Sequence, residues 1–286
     1  MPRHFLTGEE LTADEIRHVV ERALVLKEDR RASSALAGKS VGLVFDRPST
    51  RTRVSFEVGV AELGGHPVVL REGELQSSRG ESPRDTGLVL SRFVHAIGIR
   101  TGPQARVEQL AEHSAVPVIN MLTQEHHPCQ ALADLLTLRE RFGTLEGLKL
   151  AYVGDGNNVA RSLLVVGGRA GIEVAVSSPE ELALPGVENH EPADAVRGAH
   201  AIYTDAWVSM GDEAEAERKS KLLAPWRIDA ALMARARDDA IALHCLPAHP
   251  GEEITAEVLY GERSAVWDQA ENRLHAQKAL LELLLA

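Results

Sequence analysis

Short apolar, β-branched runs alternate along the chain with longer stretches whose apolar positions recur at helical spacing. Residues 40–45, 67–70, 96–100 and 117–120 read as a first series of strands, and 148–154, 173–176, 201–204, 241–246 and 264–267 as a second. Most of these runs are separated by helical stretches. Such alternation predicts an α/β chain of two domains, each a parallel sheet with helices on both faces. The helical stretch 128–141 separates the two series, and Phe142-Gly143-Thr144 closes it with a turn signal. A leucine-rich helix over 271–285 follows the second series, placed to return to the first domain. No internal repeat, heptad pattern or low-complexity tract is present.

Composition adds limits. With 286 residues, 44% hydrophobic and 26% charged, the chain can fill the cores of two domains and leave a cleft between them. A formal net charge of -11 disfavours nucleic acid or an anionic membrane as partner, since both need a concentrated positive face. An anionic ligand must then be held locally. The two cysteines, Cys129 and Cys245, each sit in a segment with a better explanation than cross-linking, which fits a reducing cytoplasm. Residues 1–11 lack the apolar core of a signal peptide, and no run approaches the ~20 apolar residues of a bilayer span.

Candidate chemistry gathers at the ends of predicted strands. Phe45-Asp46-Arg47-Pro48-Ser49-Thr50-Arg51-Thr52-Arg53 leads from a strand into a segment with Val54, Val58 and Ala61 at helical spacing. A helix start there offers free N–H groups and a positive dipole end, Ser49, Thr50 and Thr52 add hydroxyls, and Arg51 supplies a fork that matches phosphate oxygens. The same residues also read as a capped helix with solvated arginines. Arg100 ends a strand, at the edge where parallel sheets bind ligands, or is a plain surface arginine. In His126-His127-Pro128-Cys129-Gln130, Pro128 suits a first helical turn, so His127 and Gln130 share a face. A histidine at a helix start tends to stay neutral and can donate to a carbonyl oxygen, although a capping histidine beside a solvent-facing glutamine fits the same string. Adjacent histidines point to different faces, so no metal is expected.

Gly154-Asp155-Gly156-Asn157-Asn158 superficially resembles a dinucleotide loop. Val159 stands where the third glycine belongs, and Ser177 and Ser178 where an acid should end the next strand, so no cofactor is expected. Asp205-Ala206-Trp207-Val208-Ser209-Met210-Gly211 reads on its own as a strand-end acid before a glycine hinge, and the Cys245 of His244-Cys245-Leu246-Pro247 as a buried structural cysteine.

Together the strings resemble the aspartate/ornithine carbamoyltransferase family. The resemblance lies in Ser-Thr-Arg-Thr-Arg at 49–53, followed by Phe56-Glu57 and Leu63-Gly64-Gly65-His66, and in the helix start His-Pro-Cys-Gln. Asp-x-Trp-x-Ser-Met-Gly at 205–211 and His-Cys-Leu-Pro at 244–247 are similar to the ornithine branch, since aspartate-using members typically carry Pro and Leu in place of Cys245 and Leu246. The match runs from Phe5 to the final helix. One departure is the stretch from Ser178 to Arg197, which is short and leaves little room for a helix at 179–191.

The resemblance implies a carbamoyl-phosphate-binding domain over 1–134, joined by the helix 271–286, an ornithine-binding domain over 135–270, and an active site in the interdomain cleft. Carbamoyl phosphate would meet Ser49, Thr50, Arg51, Thr52, Gln76, Arg100, His127, Gln130, Cys245, Leu246 and Arg273. Of these, His127 would take the carbamoyl oxygen and Gln130 the amide nitrogen. Leu246 would offer a backbone carbonyl to the attacking amine, and Arg273, at the start of the last helix, would close on the carbamoyl group. Arg53 either touches the ligand or braces the loop through a carboxylate. Ornithine would meet Asn158, Asp205, Ser209 and Met210, with Asn157 shaping the turn, and Cys245 would hold or deprotonate its amine. Arg51, Arg100, His127, Asp205 and Cys245 form the implied catalytic set. Gln76 matches a loop that reaches a neighbouring subunit, implying a homotrimer or higher multiple. The implied reaction is carbamoyl transfer from carbamoyl phosphate to L-ornithine in the cytoplasm, in arginine biosynthesis or its catabolic reverse. Transfer to another amine such as putrescine, and a non-catalytic carbamoyl-phosphate-binding paralogue, are the alternatives.

Overall fold

A computed structural model describes residues 2–71, 73–76, 80–208 and 215–285. The chain divides into two compact units, Met1–Leu136 with Glu271–Ala286, and Thr137–Ala270. In the first, β1 (Ser40–Phe45), β2 (His66–Arg71), β3 (Ala96–Arg100) and β4 (Val118–Leu122) form a parallel sheet in the order β2-β1-β3-β4. Helix α1 (Ala13–Glu28) precedes β1, and α2 (Thr50–Glu62), α3 (Pro83–Leu90), α4 (Gln104–Glu112) and α5 (Pro128–Phe142) follow the strands. The second unit repeats the plan with β5 (Lys149–Val153), β6 (Glu173–Ser177), β7 (Ala201–Thr204) and β8 (Ile241–His244), parallel in the order β6-β5-β7-β8. Its helices are α6 (Asn158–Arg169), α7 (Pro192–Ala195), α8 (Ala216–Leu223), α9 (Ala230–Met233) and α10 (Ala256–Leu259). Helix α11 (Val266–Leu285) begins in the second unit and ends in the first.

Burial explains why unbroken apolar runs marked the strands. Every residue of β3 and β8 is buried, so neither face leaves room for a polar alternation. Val44, Ile97, Ile99, Val107, Leu110 and Val118 pack in the first unit, and Ala151, Val153, Ile202, Ala242, Ile254 and Val266 in the second.

The two strand orders also fix where ligands can bind. From β1 the chain moves outward to β2 and then crosses to β3 on the other side, so the connections after β1 and β3 diverge. The crevice opened at such a switch point is where open parallel sheets bind ligands. Phe45 and Arg100 are paired across it in the first unit, and β5 and β7 flank the equivalent point in the second.

Three details depart from the sequence reading. Residues 264–267 are not a strand: Ser264 makes an isolated bridge to Ala242, and Val266 already opens α11. An apolar run this short cannot distinguish a strand from the start of a helix. Arg273 consequently lies inside the last helix and not at its start. The strand expected over 241–246 ends at His244, and Leu246 takes a positive φ of 62°. The short stretch between β6 and β7 agrees with the sequence reading, forming only a short turn at Glu180–Leu182 and the four-residue α7. Among the described residues no helix is long and apolar enough to cross a membrane.

Candidate active site

At the β1–β3 switch point, Ser49 caps α2 in extended conformation without a side-chain capping bond, so its hydroxyl is not consumed by the helix. Thr52, buried in the first turn of α2, accepts hydrogen bonds at Oγ1 from Arg100 Nη1 at 3.3 Å and Arg273 Nη2 at 2.6 Å. Arg273 Nη1 donates to Gln130 Oε1 at 2.9 Å, and Gln130 Nε2 donates to Asp134 Oδ1 at 2.8 Å. Polar contacts thus link α2, β3, α5 and α11. Arg100 is 8% exposed and Arg273 3%. Two guanidinium groups drawn onto one hydroxyl at this depth concentrate positive charge there, an arrangement with the chemistry to receive an anion.

His127 lies directly before α5 and is buried. Burial pushes its pKa well below 6.5, and Arg273, Arg100 and Arg51 push it the same way, so the imidazole is neutral at ordinary pH and can donate one N–H. Cys129 on the same helix donates to Asn120 O at 3.3 Å, and burial pushes its thiol up to about 12, against a smaller opposing pull from Arg273. Its thiol therefore stays protonated at ordinary pH. Arg53 pairs with Glu57 Oε2 at 3.0 Å, which is the bracing alternative. Gln76 is exposed, and its carbonyl accepts the Glu81 N–H at 3.2 Å.

In the second unit Asn157 caps α6. Its Oδ1 accepts from Val159 N at 2.9 Å, Ala160 N at 3.3 Å and the Tyr152 hydroxyl at 3.0 Å, while Nδ2 donates to Asp205 Oδ2 at 2.7 Å. The other oxygen of Asp205 accepts from Ala206 N and from Cys245 Sγ, both at 2.8 Å. This carboxylate is therefore aimed by three donors from the segment after β7, the β5–α6 turn and the segment after β8. Asn158, the first residue of α6, follows Asn157 and is half-buried. Gly156 donates to Leu182 O at 3.1 Å, and a Cβ there would lie 2.3 Å from that oxygen. The glycine admits the chain's own 182–184 segment, where a dinucleotide loop would admit a pyrophosphate. Ser209 and Met210 lie outside the described residues.

Comparison with known proteins bears on what these clusters are. Residues 3–140 match the family model "Aspartate/ornithine carbamoyltransferase, carbamoyl-P binding domain", and residues 146–284 match "Aspartate/ornithine carbamoyltransferase, Asp/Orn binding domain". The chain belongs to the aspartate/ornithine carbamoyltransferase family. The ornithine carbamoyltransferase of Acidothermus cellulolyticus is 52% identical over 303 aligned positions, covering 100% of this chain and 97% of that protein. Among solved structures, the ornithine carbamoyltransferase of Thermus thermophilus superposes with a TM-score of 0.92 at 42% identity, covering 100% of both chains. That of Pyrococcus furiosus gives 0.92 at 45% identity, covering 98% of this chain and 96% of the other.

In this carbamoyltransferase fold, then, Thr52, Arg100, Gln130 and Arg273 from distant sequence positions are joined in one chain of hydrogen bonds, and Asp205 and Cys245 form a second such group. Four contacts escaped the sequence reading. Asp134 stands four residues after Gln130, a helical spacing that could have revealed it. The grip of Asn157 on Asp205, the hydroxyl of Tyr152, and the largely buried pair of Lys219 Nζ with Asp155 Oδ2 at 2.8 Å are tertiary contacts with no sequence signal.

Two groups among the described residues, Asp205-His244-Cys245 and His249-Glu252-Glu253, bring candidate metal-ligand atoms within 4.8 Å of one another. In the first, Cys245 Sγ donates to Asp205, His244 Nδ1 accepts the Leu246 N–H, and His244 Nε2 faces Glu253, so a metal would have to displace these hydrogen bonds. Leu246 holds a left-handed backbone that costs a branched residue about 1–3 kcal/mol, so surrounding structure must hold it there.

Proposed function

We propose that this chain transfers the carbamoyl group of carbamoyl phosphate to the side-chain amine of L-ornithine, giving L-citrulline and phosphate. The observation that carries the reading is the convergence of Arg100 and Arg273 on Thr52, with a neutral His127 directly before α5. Ser49, Thr50, Arg51 and the start of α2 hold the phosphate. Thr52, Arg100 and His127 meet the carbonyl oxygen as it becomes an oxyanion, where one such donor is typically worth about 10²–10³-fold in rate. Gln130 Oε1, which accepts from Arg273, has a second lone pair for the carbamoyl amide.

The second cluster suits the acceptor. A free ornithine side-chain amine has a pKa near ~10 and arrives protonated, so it must lose a proton before it attacks. Asp205 and Cys245 orient it and take part in that proton's removal. The nitrogen lone pair adds to the carbonyl carbon, and the tetrahedral intermediate collapses as the C–O bond to phosphate breaks and the departing phosphate takes the extra proton left on the attacking nitrogen. Asn158, Ser209 and Met210 address the amino-acid end, with Leu246 offering its carbonyl. Relatives named for ornithine across the full chain support this acceptor over putrescine and over a non-catalytic role.

The enzyme works in the cytoplasm in arginine metabolism, as a homotrimer or higher multiple in which Gln76 reaches a neighbour's site. The exposure of Gln76, and of Leu88, Val89 and Phe93 in the same unit, supports an interface there. Citrulline formation from carbamoyl phosphate and ornithine, with putrescine and aspartate in parallel, tests the function. Ornithine should be strongly preferred. Equal use of putrescine would move the acceptor assignment, and no product with any amine would leave only a binding role.

A further inference from the structure

Glu253 has no part in the chemistry above, yet its carboxylate is fully buried. Oε1 lies 3.0 Å from His244 Nε2 and accepts the His249 N–H at 2.5 Å, and Oε2 is 3.6 Å from His249 Nδ1. The His244 side chain is equally buried, and its Nδ1 accepts the Leu246 N–H at 2.9 Å. A ring nitrogen that accepts a backbone N–H carries no proton, so the proton of a neutral imidazole sits on Nε2 and points at Glu253. The backbone end is fixed as well, since Gln269 Oε1 accepts the His244 N–H at 2.8 Å. Leu246 N–H is the next group along this relay. Its bond to His244 helps hold the left-handed turn at Leu246, beside the Cys245 whose Sγ lies 2.8 Å from Asp205.

We propose that Glu253 is a positioning residue for the amine-binding end of the site: it fixes the Nε2–H form of His244, which through the Leu246 N–H sets the turn that delivers Cys245 to Asp205. The inference rests on the reading that Asp205 and Cys245 serve ornithine. Glu253 touches no reacting atom and acts only through His244. Glutamine in its place retains an oxygen acceptor for the Nε2–H, whereas leucine of similar volume removes it.

The test uses the full-length enzyme with Glu253→Gln, Glu253→Leu and, in parallel, Asp205→Asn. Glu253→Gln should keep the ornithine KM within about 3-fold of wild type, and Glu253→Leu should raise it about 10- to 100-fold, the scale on which small misplacements of a reacting group act. Calorimetric titration should show carbamoyl-phosphate affinity unchanged in both. Wild-type ornithine KM in a folded Glu253→Leu enzyme, or equal losses for the two substrates, overturns the proposal. Should that variant not fold, ¹⁵N-histidine NMR of the wild type decides, with the His244 signals assigned by their loss in His244→Asn: an Nε2–H tautomer supports the relay and an Nδ1–H tautomer overturns it. A wild-type ornithine KM in Asp205→Asn would instead bring down the ornithine-site reading itself, and this inference with it.

Discussion

Replacing Thr52 by valine would keep its volume beside Arg100 and Arg273 while setting a methyl group where a hydroxyl now accepts from both guanidinium groups. Citrulline formation should fall about 10²-fold or more, because the arginines lose the acceptor that converges them and, in the proposed mechanism, the oxyanion loses a donor. The thermal midpoint should move by only about 2–4 °C, as expected for a loss near 1 kcal/mol in a chain of this size. Near-normal turnover in a folded Thr52→Val enzyme would show that the arginines are placed by something else. His127 gives a prediction in pH. Its folded pKa is depressed below that of the unfolded chain, so between the two values the unfolded chain binds more protons. The stability tied to its neutral burial is therefore present above about pH 6.5 and is lost as pH falls toward the folded value, with a slope of at most about 1.4 kcal/mol per pH unit. Denaturant unfolding of His127→Gln should show a shallower loss than wild type as pH is lowered below about 6.5. Identical slopes would assign the loss to His4, His200 and His275, which burial also depresses.

Helix α6 couples stability to the proposed acceptor site through its cap, and the two can be separated. Asn157→Ala removes both the cap and the donor to Asp205, and should cost about 1 kcal/mol together with a raised ornithine KM. Asn157→Ser restores a capping oxygen but is too short to reach Asp205, so most of the stability should return while the KM stays high. Melting curves and steady-state kinetics on both variants check this, and recovery of both properties in Asn157→Ser would reduce Asn157 to a cap. This link also marks the limit of what the sequence discloses. Strands β1, β3 and β7 are legible end to end because buried parallel strands are unbroken apolar runs closed by turn residues. Thr52, Arg100, Gln130 and Arg273 can be named singly from their strings, but their joining in one hydrogen-bonded chain depends on strand order, which no local pattern encodes. Asn157 with Asp205, and His244 with Glu253, join residues that no helical or strand period connects. The run 264–267 misleads for the opposite reason, since three apolar residues satisfy either element.

For the whole molecule, the proposed sharing of sites between subunits makes a quantitative prediction. Arg51→Ala and Gln76→Ala should each be severely impaired as pure oligomers. When the two are unfolded together and reassembled at random, a site with Arg51 from one parent and Gln76 from the other is intact, and about one quarter of sites should be of this kind in a closed ring. A mixture as inactive as its parents, beside fully recovered wild type, would confine Gln76 to its own subunit or to no role. The path of α11 has a consequence for biosynthesis. Thr52 and Arg100 leave the ribosome early, all of the second unit follows, and only then come Arg273, which reaches Thr52 and Gln130, and Lys278, whose Nζ is held by Glu62 Oε2 at 2.8 Å and Arg30 O at 2.7 Å. Leu274 and Lys278 also cover Gly59 on α2. The unit begun first is thus completed last, and a nascent chain stalled before residue 271 leaves that face of α2 open to chaperones and proteases for as long as the stall persists.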